Sequence, residues 1–250
     1  MRLKLIACEV LFREMCDACA HSPHQVDVEF LPKGLHDLGG KSMAAKIQEV
    51  VDRTAEGMYD AILLGYGLCG NGLDGLTARH TPLVLPRAHD CIALLMGSRE
   101  RYQQYFDGNP GTFYRSTGWL ERGKGLQQLT HQTLGFDEPL DALIRKYGED
   151  NGRYLYQEMT RYRSQYGKLT FIETGLEADG KFVADAAAEA KENGWSFERL
   201  PGDLAWLRRL VNGEWAEAEF VVAEPGRRIA ASYDALVVTL VVTLVVKVQA

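Results

Sequence analysis

Two rhythms of apolar and polar positions run along this chain. Short, almost unbroken apolar runs at Leu3–Ala7, in AILLGYG from Ala61, and in PLVLP from Pro82 read as strands buried on both faces, which favours parallel pairing. VDVEFLP alternates and ends on a proline, the signature of a second strand. Between these runs the period lengthens. LFREMCDACAHSPHQ predicts a helix broken before Pro23, because the residue ahead of a proline leaves the helical region. The segment 42–57 predicts another, with Ile47, Val50 and Val51 on one face and Gly57 as its stop. GLHDLGG, between strand and helix, reads as a loop whose His36 could reach the same sheet edge.

Past the PLVLP strand, Ile92–Met96 starts a helix or strand that runs to Gly97, and SRERYQQYF is helical. NPGTFYRSTGWLERG, residues 109–123, has no clean period and is dense in glycine, arginine and aromatics; it reads as an irregular, function-bearing loop. Leu140 to Tyr166 gives one or two amphipathic helices studded with tyrosines that serve packing. A new alternation then opens: KLTFIETG as strand, a helix over residues 182–193, WSFERLP as strand, GDLAWLRRLVNG as a helix opened by an aspartate, and EFVVAEPG as strand. The expected fold class is therefore α/β, mostly parallel sheet flanked by helices, in one long sheet or two Rossmann-like lobes. Chain order suggests an N-terminal lobe over 1–125, a helical connector over 126–167 and a C-terminal lobe over 168–250. The repetitive VVTLVVTLVV near the end is too short to span a bilayer and reads as a terminal strand.

A net charge of −6 argues against nucleic-acid binding, which needs a basic surface. Five cysteines, an odd number, behind an N-terminus whose apolar core is too short for a secretory signal fit reduced thiols in a cytoplasmic protein. No membrane partner is expected. Cys16-x-x-Cys19 with His21 and His24 resembles a metal hook, but the histidines crowd the cysteines and leave no room for a folded finger. Packing along a helix is the simpler reading of that pair.

The chemistry concentrates where strands end. Cys8 closes the first strand, Cys69 lies in the glycine-rich loop after the AILLGYG run, and His89, Asp90 and Cys91 follow PLVLP. Ligands of open parallel sheets sit outside the carboxyl ends of the strands. His89 and Cys91, two apart, would point the same way in an extended segment. Cys8, Cys69, His89 and Cys91 could then share a tetrahedral zinc. A thiolate-rich zinc can lower the pKa of a bound substrate thiol, which would direct the site to alkyl transfer onto sulfur. Three cysteines on a [4Fe–4S] cluster, with one iron left for substrate, form the alternative, suited to elimination or sulfur chemistry. Arg87 or Arg99 could clamp an anionic group of a small-molecule substrate, although Arg99 is equally placed to pair with an acid at its helix start. Asp90 and Tyr114 join Arg87 as candidate catalytic groups, and the aromatic loop around Tyr114 and Trp119 would cover the site. Glu9 and Glu173 stand at other strand ends as lesser acid–base candidates.

The boxes YGLCGNGLDGL, PRAHDCIALLMGSRERY and PGTFYRSTGWLERG together resemble a bacterial and archaeal domain-of-unknown-function family numbered sixteen thirty-eight, over about Cys8 to Ala231. Its members often accompany corrinoid-dependent methyl-transfer systems. That implies one-carbon or thiol chemistry, with a corrinoid protein or methyltransferase as candidate partner. It also implicates Cys69, Arg87, His89, Asp90 and Cys91, with Cys8 and Glu9 at the first strand. The combined expectation is a metal-dependent methyltransferase, with a non-catalytic metal or corrinoid accessory as the rival of a different class.

Overall fold

The computed structural model describes residues 1–122, 140–160, 164–232 and 237–242. Among them, the apolar runs form the expected strands. β1 (Arg2–Cys8), β2 (Gln25–Leu31), β3 (Ala61–Gly65) and β4 (Leu83–Pro86) lie in one sheet in the order β2-β1-β3-β4, all parallel. The register sets Ala7 opposite Gly65, and Leu5, Ile6, Leu63 and Leu64 are fully buried. Helices α1 (Phe12–Ala20) and α2 (Gly40–Asp52) connect the strands; α2 buries Met43, Ile47, Val50 and Val51, one apolar stripe at helical spacing.

Two local readings of this half change. The helix expected over 42–57 runs instead over Gly40–Asp52, because Thr54 folds back, its hydroxyl donating to the Val50 carbonyl and its N–H to Val51. GLHDLGG is not an open loop: Lys33–Leu38 forms a 3-10 helix, anchored where the Lys33 N–H donates to the Glu9 carboxylate at 2.9 Å. α3 (Cys91–Met96) settles Ile92–Met96 as helix, ended by Gly97 at φ 81°.

The first unit comprises Met1–Gln103 and Gly202–Ala250, the second Gln104–Pro201. This division does not follow the chain-order segments 1–125, 126–167 and 168–250. β8 (Phe220–Ala223) returns to the first sheet and pairs antiparallel with β4, so the C-terminal stretch belongs with the N-terminal one. α9 (Ala205–Val211) buries Trp206, Leu207, Leu210 and Val211 in the same unit. This antiparallel edge strand sits within the mostly parallel sheet expected. β9 (Arg227–Ala231) pairs with β10 (Val238–Val242), which places a strand at the head of the repetitive tail. The rest of that tail, 243–250, lies outside the described residues.

The second unit has its own parallel sheet, β5-β6-β7, of Thr112–Ser116, Lys168–Glu173 and Ser196–Pro201. Leu169, Phe171, Ala186 and Ala190 form its buried core, with Phe113, Phe182, Trp195 and Phe197 packed around them. Within the irregular loop expected at 109–123, residues 112–121 prove regular. Thr112–Ser116 is β5, and Thr117–Glu121 is a short helix, α5. The strand was hidden because Arg115 interrupts the apolar pattern. Its guanidinium stacks over Phe113 and pairs in bidentate fashion with Glu189 of α8 (Lys181–Glu192), so the charge is spent inside the unit. Within the expected connector, Leu140–Tyr147 and Glu149–Thr160 are helices, while 123–139 and 161–163 lie outside the described residues. The α/β class holds in both units.

Candidate thiol-rich site at the carboxyl edge of the first sheet

Because β1, β3 and β4 are adjacent and parallel, their carboxyl ends share one edge. Cys8 is the last residue of β1, Cys69 sits in the loop after β3, and Cys91 is the first residue of α3 after β4. The two later loops are knitted together. Leu68 N–H donates to the Ala88 carbonyl and Cys69 N–H to the His89 carbonyl, both at 2.8 Å. A Cβ on Gly67 would stand 2.5 Å from the Asp90 Cα, so only glycine permits that approach. Cys69 itself holds φ 49°, followed by Gly70 at 64° and Asn71 at 67°. A left-handed cysteine is uncommon and strained, and persists only where its surroundings enforce it.

Cys8 and Cys91 are buried, whereas Cys69 is partly exposed. Burial pushes the Cys8 thiol from the ordinary 9.0 up to about 12, against a partial pull from the Val10 N–H. Burial likewise raises the Cys69 thiol well above the usual range, and the charges of Asp90 and Cys8 add to the effect. The N–H groups of Gly67 and Cys91 reach the Cys69 sulfur and oppose that rise. One imidazole joins the thiols: His36 Nε2 stands 3.7 Å from Cys8 Sγ. It is held there by the 3-10 segment that Glu9 anchors over the end of β1.

Tyr66, just past β3, is a member of this neighbourhood that strand-end reasoning missed. The residue is 1% exposed, and its hydroxyl has no hydrogen-bond partner among the described residues. Burial raises its pKa first, and the charges of Cys8, Cys69 and Glu9 raise it further. In the sequence it is one aromatic in an apolar run; only its position one residue beyond Gly65, at the strand's carboxyl end, could have flagged it.

The remaining candidates are placed differently. His89 is exposed and neighbours the Tyr102 ring at 6.5 Å, while Cys91, two residues on, is buried, so the pair does not share one face. The physical reason is that Cys91 begins a helix rather than continuing an extended segment. Asp90 caps that helix: its carboxylate accepts from Ala93 N–H at 3.0 Å and from the Tyr102 hydroxyl at 3.1 Å. Arg87 donates through Nε to the Glu217 carbonyl at 2.8 Å and through Nη1 to the Val238 carbonyl. Arg99 pairs with Glu100 at its helix start. In the second unit, Tyr114 lies on β5 with its ring 6.1 Å from Tyr105, and Glu173 is paired with Arg199. Cys16 is exposed and Cys19 half-buried on α1, while His21 and His24 bond backbone carbonyls of Asp17 and Asn212.

Among the described residues, no three His, Cys, Asp or Glu side chains stand close enough together to hold one ion. The donors at the edge are nonetheless soft in kind, and a rotamer change at χ1 moves a cysteine sulfur without moving its strand. No helix of the described residues is long and apolar enough to cross a membrane. The profile of a family described as "Protein of unknown function (DUF1638)" matches residues 30–211. No curated protein and no solved structure matches the chain.

Proposed function

For a chain that belongs to the family of unknown function DUF1638, we propose a thiophilic metal site held by Cys8, Cys69 and Cys91, serving methyl or alkyl transfer that involves a thiol or a corrinoid partner. The observation that carries this reading is topological. Three neighbouring parallel strands each deliver one cysteine to the same carboxyl edge, two of them through loops bonded to each other. Free thiols with pKa values raised by burial are poor nucleophiles, because the thiolate is the reactive form. A soft cation changes that balance, since binding exchanges the thiol protons for the metal. Zinc is the cation chosen here. When bound, it would lower the pKa of a substrate thiol beside it.

The protein's own groups supply the setting. The N–H groups of Gly67 and Cys91 stabilise negative charge on the Cys69 sulfur. The buried Tyr66 hydroxyl offers a hydrogen bond to whatever shares the volume with Cys8 and Cys69. A cytoplasmic setting would keep all five thiols reduced. Arg87 is omitted from the substrate-binding set because its donors hold backbone carbonyls.

The outward position of His89 favours a second reading, in which the three cysteines alone hold a [4Fe–4S] cluster. Anaerobic purification followed by elemental analysis and an absorption spectrum tests both. A colourless metal in unit ratio, lost in Cys69→Ser, supports the zinc site; brown colour and iron lost in the same variant select the cluster. Wild type free of metal, with no uptake of zinc or iron, would defeat both. Tight capture of a methyltransferase or corrinoid protein with no alkyl transfer would turn the site to an accessory role.

A further inference from the structure

One cysteine motif has no part in the strand-end site. Cys16-x-x-Cys19 lies in the second half of α1, the helix that carries the chain from β1 to its parallel neighbour β2. If the pair served packing alone, both side chains would be buried. Cys16 is exposed and Cys19 half-buried, whereas the buried positions of this helix are Glu14, Met15 and Ala18. Two thiols so spaced on the crossover helix of a βαβ unit have the pattern of a thiol–disulfide exchange pair.

Helix geometry sets the two thiols side by side. Three steps of about 1.5 Å rise, at about 3.6 residues per turn, separate their Cα atoms by about 5 Å, inside the roughly 4.4–6.8 Å that a disulfide spans. The sulfurs also sense each other: burial first, and the charge of Cys16 second, push the Cys19 thiol up to about 12. A regular helix leaves the Cβ atoms about 5–6 Å apart, against roughly 3.5–4.5 Å in a disulfide. Tightening of the last turn closes that gap. Only Ala20 follows Cys19 within α1, and the Ser22 N–H already donates to the Cys19 carbonyl at 3.2 Å. That is the three-residue step of a 3-10 turn, in which such side chains eclipse. Contacts on either side of Cys19 hold the segment meanwhile, Asp17 to Arg208 at 3.1 Å and the Ser22 hydroxyl to the Val211 carbonyl at 2.8 Å. A ring closed against its helix is readily reduced, which suits a reversible bond rather than a structural bridge.

We infer that Cys16 and Cys19 form a reversible disulfide by exchange with a low-molecular-weight disulfide of the glutathione class. The Cys16 thiolate attacks one sulfur of that disulfide, and the other sulfur leaves as a thiolate and takes up a proton. The Cys19 sulfur then attacks Cys16 Sγ, gives its proton to solvent and expels the second small thiol. The small disulfide is reduced to two thiols while the protein dithiol is oxidised by the same two electrons. Drawing Cys16 into the mixed disulfide also removes the negative charge that helps Cys19 keep its proton. The resting state is the dithiol, as in other reducing compartments where disulfides are transient.

Full-length protein is equilibrated in mixtures of reduced and oxidised glutathione, quenched in acid, alkylated and digested with trypsin. Residues 14–33 emerge as one peptide that carries Cys16 and Cys19 and no other cysteine. In the oxidising mixtures the wild-type peptide should lose two hydrogens and resist alkylation, and excess reduced glutathione should restore it. In Cys19→Ser the peptide should instead retain glutathione on Cys16, because the resolving thiol is gone. In Cys16→Ser, glutathione capture should be about tenfold slower than in Cys19→Ser, since a half-buried thiol offers little thiolate. Both thiols alkylated in wild type from the most oxidising mixture, or Cys16 bridged to a different peptide, would overturn the pair. Equal capture in the two single variants would overturn the order of attack on which the exchange depends.

Discussion

At the scale of single residues, the thiols reveal their surroundings through ionisation. Cys8 and Cys19 both have pKa values raised from 9.0 to about 12, Cys8 by burial and Cys19 by burial with a contribution from neighbouring Cys16. In the unfolded chain these thiols ionise near pH 9, but in the folded protein they keep their protons. A raised folded-state pKa therefore contributes stability that is complete below pH 9 and is lost as pH climbs towards 12. Cys19 lies outside the strand-end site and, kept reduced, tests this cleanly. Urea midpoints measured from pH 8 to pH 10.5 should fall less steeply in Cys19→Ala than in wild type. The comparison of slopes matters, because the truncation also shifts stability by the same amount at every pH. Parallel curves would show that the Cys19 thiol is not held neutral by the fold.

At the scale of elements, Arg87 shows how a charged residue beside a cysteine box can be architectural. It follows β4 directly, and its N–H, Nε and Nη1 all go to carbonyls of Glu219, Glu217 and Val238. These contacts fasten the start of β8 and the hairpin strand β10 to the central sheet. Replacing Arg87 by Met keeps the aliphatic stem and the backbone N–H bond to Glu219 but leaves the Glu217 and Val238 carbonyls without their charged donor. The expected loss is about 2–4 kcal/mol in urea unfolding, with faster hydrogen exchange at residues 217–223 and 237–242. Metal uptake should be retained. Loss of uptake with unchanged stability would return Arg87 to the site. The sequence could not show this, because the carbonyls that Arg87 meets lie 130 and 151 residues further on. The strands themselves were legible because β1, β3 and β4 are buried on both faces and so carry an unmistakable apolar run. β5 was not, since Arg115 satisfies its charge through tertiary contacts that local pattern does not encode. His89 was misread for a related reason: period-2 reasoning applies only while the chain stays extended, and α3 begins at Cys91.

At the scale of the whole molecule, the chain leaves the first unit within α4 (Arg99–Gly108) and returns to it after Pro201. Chain order alone suggested lobes in succession, whereas pairing of β8 with β4 makes the second unit an insertion. The first unit closes on itself at the point of departure. Asp203 N–H donates to the Leu95 carbonyl at 2.9 Å, and Gly97 packs so tightly on Asp203 that a Cβ there would lie 2.6 Å from the Asp203 Cβ. The chain therefore exits and re-enters the first unit with little distance to bridge, which is the condition under which inserted domains can be removed. Cys8, His36, Tyr66, Cys69 and Cys91 all belong to the first unit. Replacing residues 104–201 by a short Gly/Ser linker should leave a cooperatively folded protein that binds zinc with unchanged stoichiometry. Calorimetry and elemental analysis would measure the two properties separately. A folded but zinc-free product would mean that ligands come from the second unit, and the strand-end account of the site would have to be replaced. Retained binding with lost alkyl transfer would assign recognition of the partner or substrate to the inserted unit, and so divide the metal chemistry from its specificity along the same boundary that the fold draws.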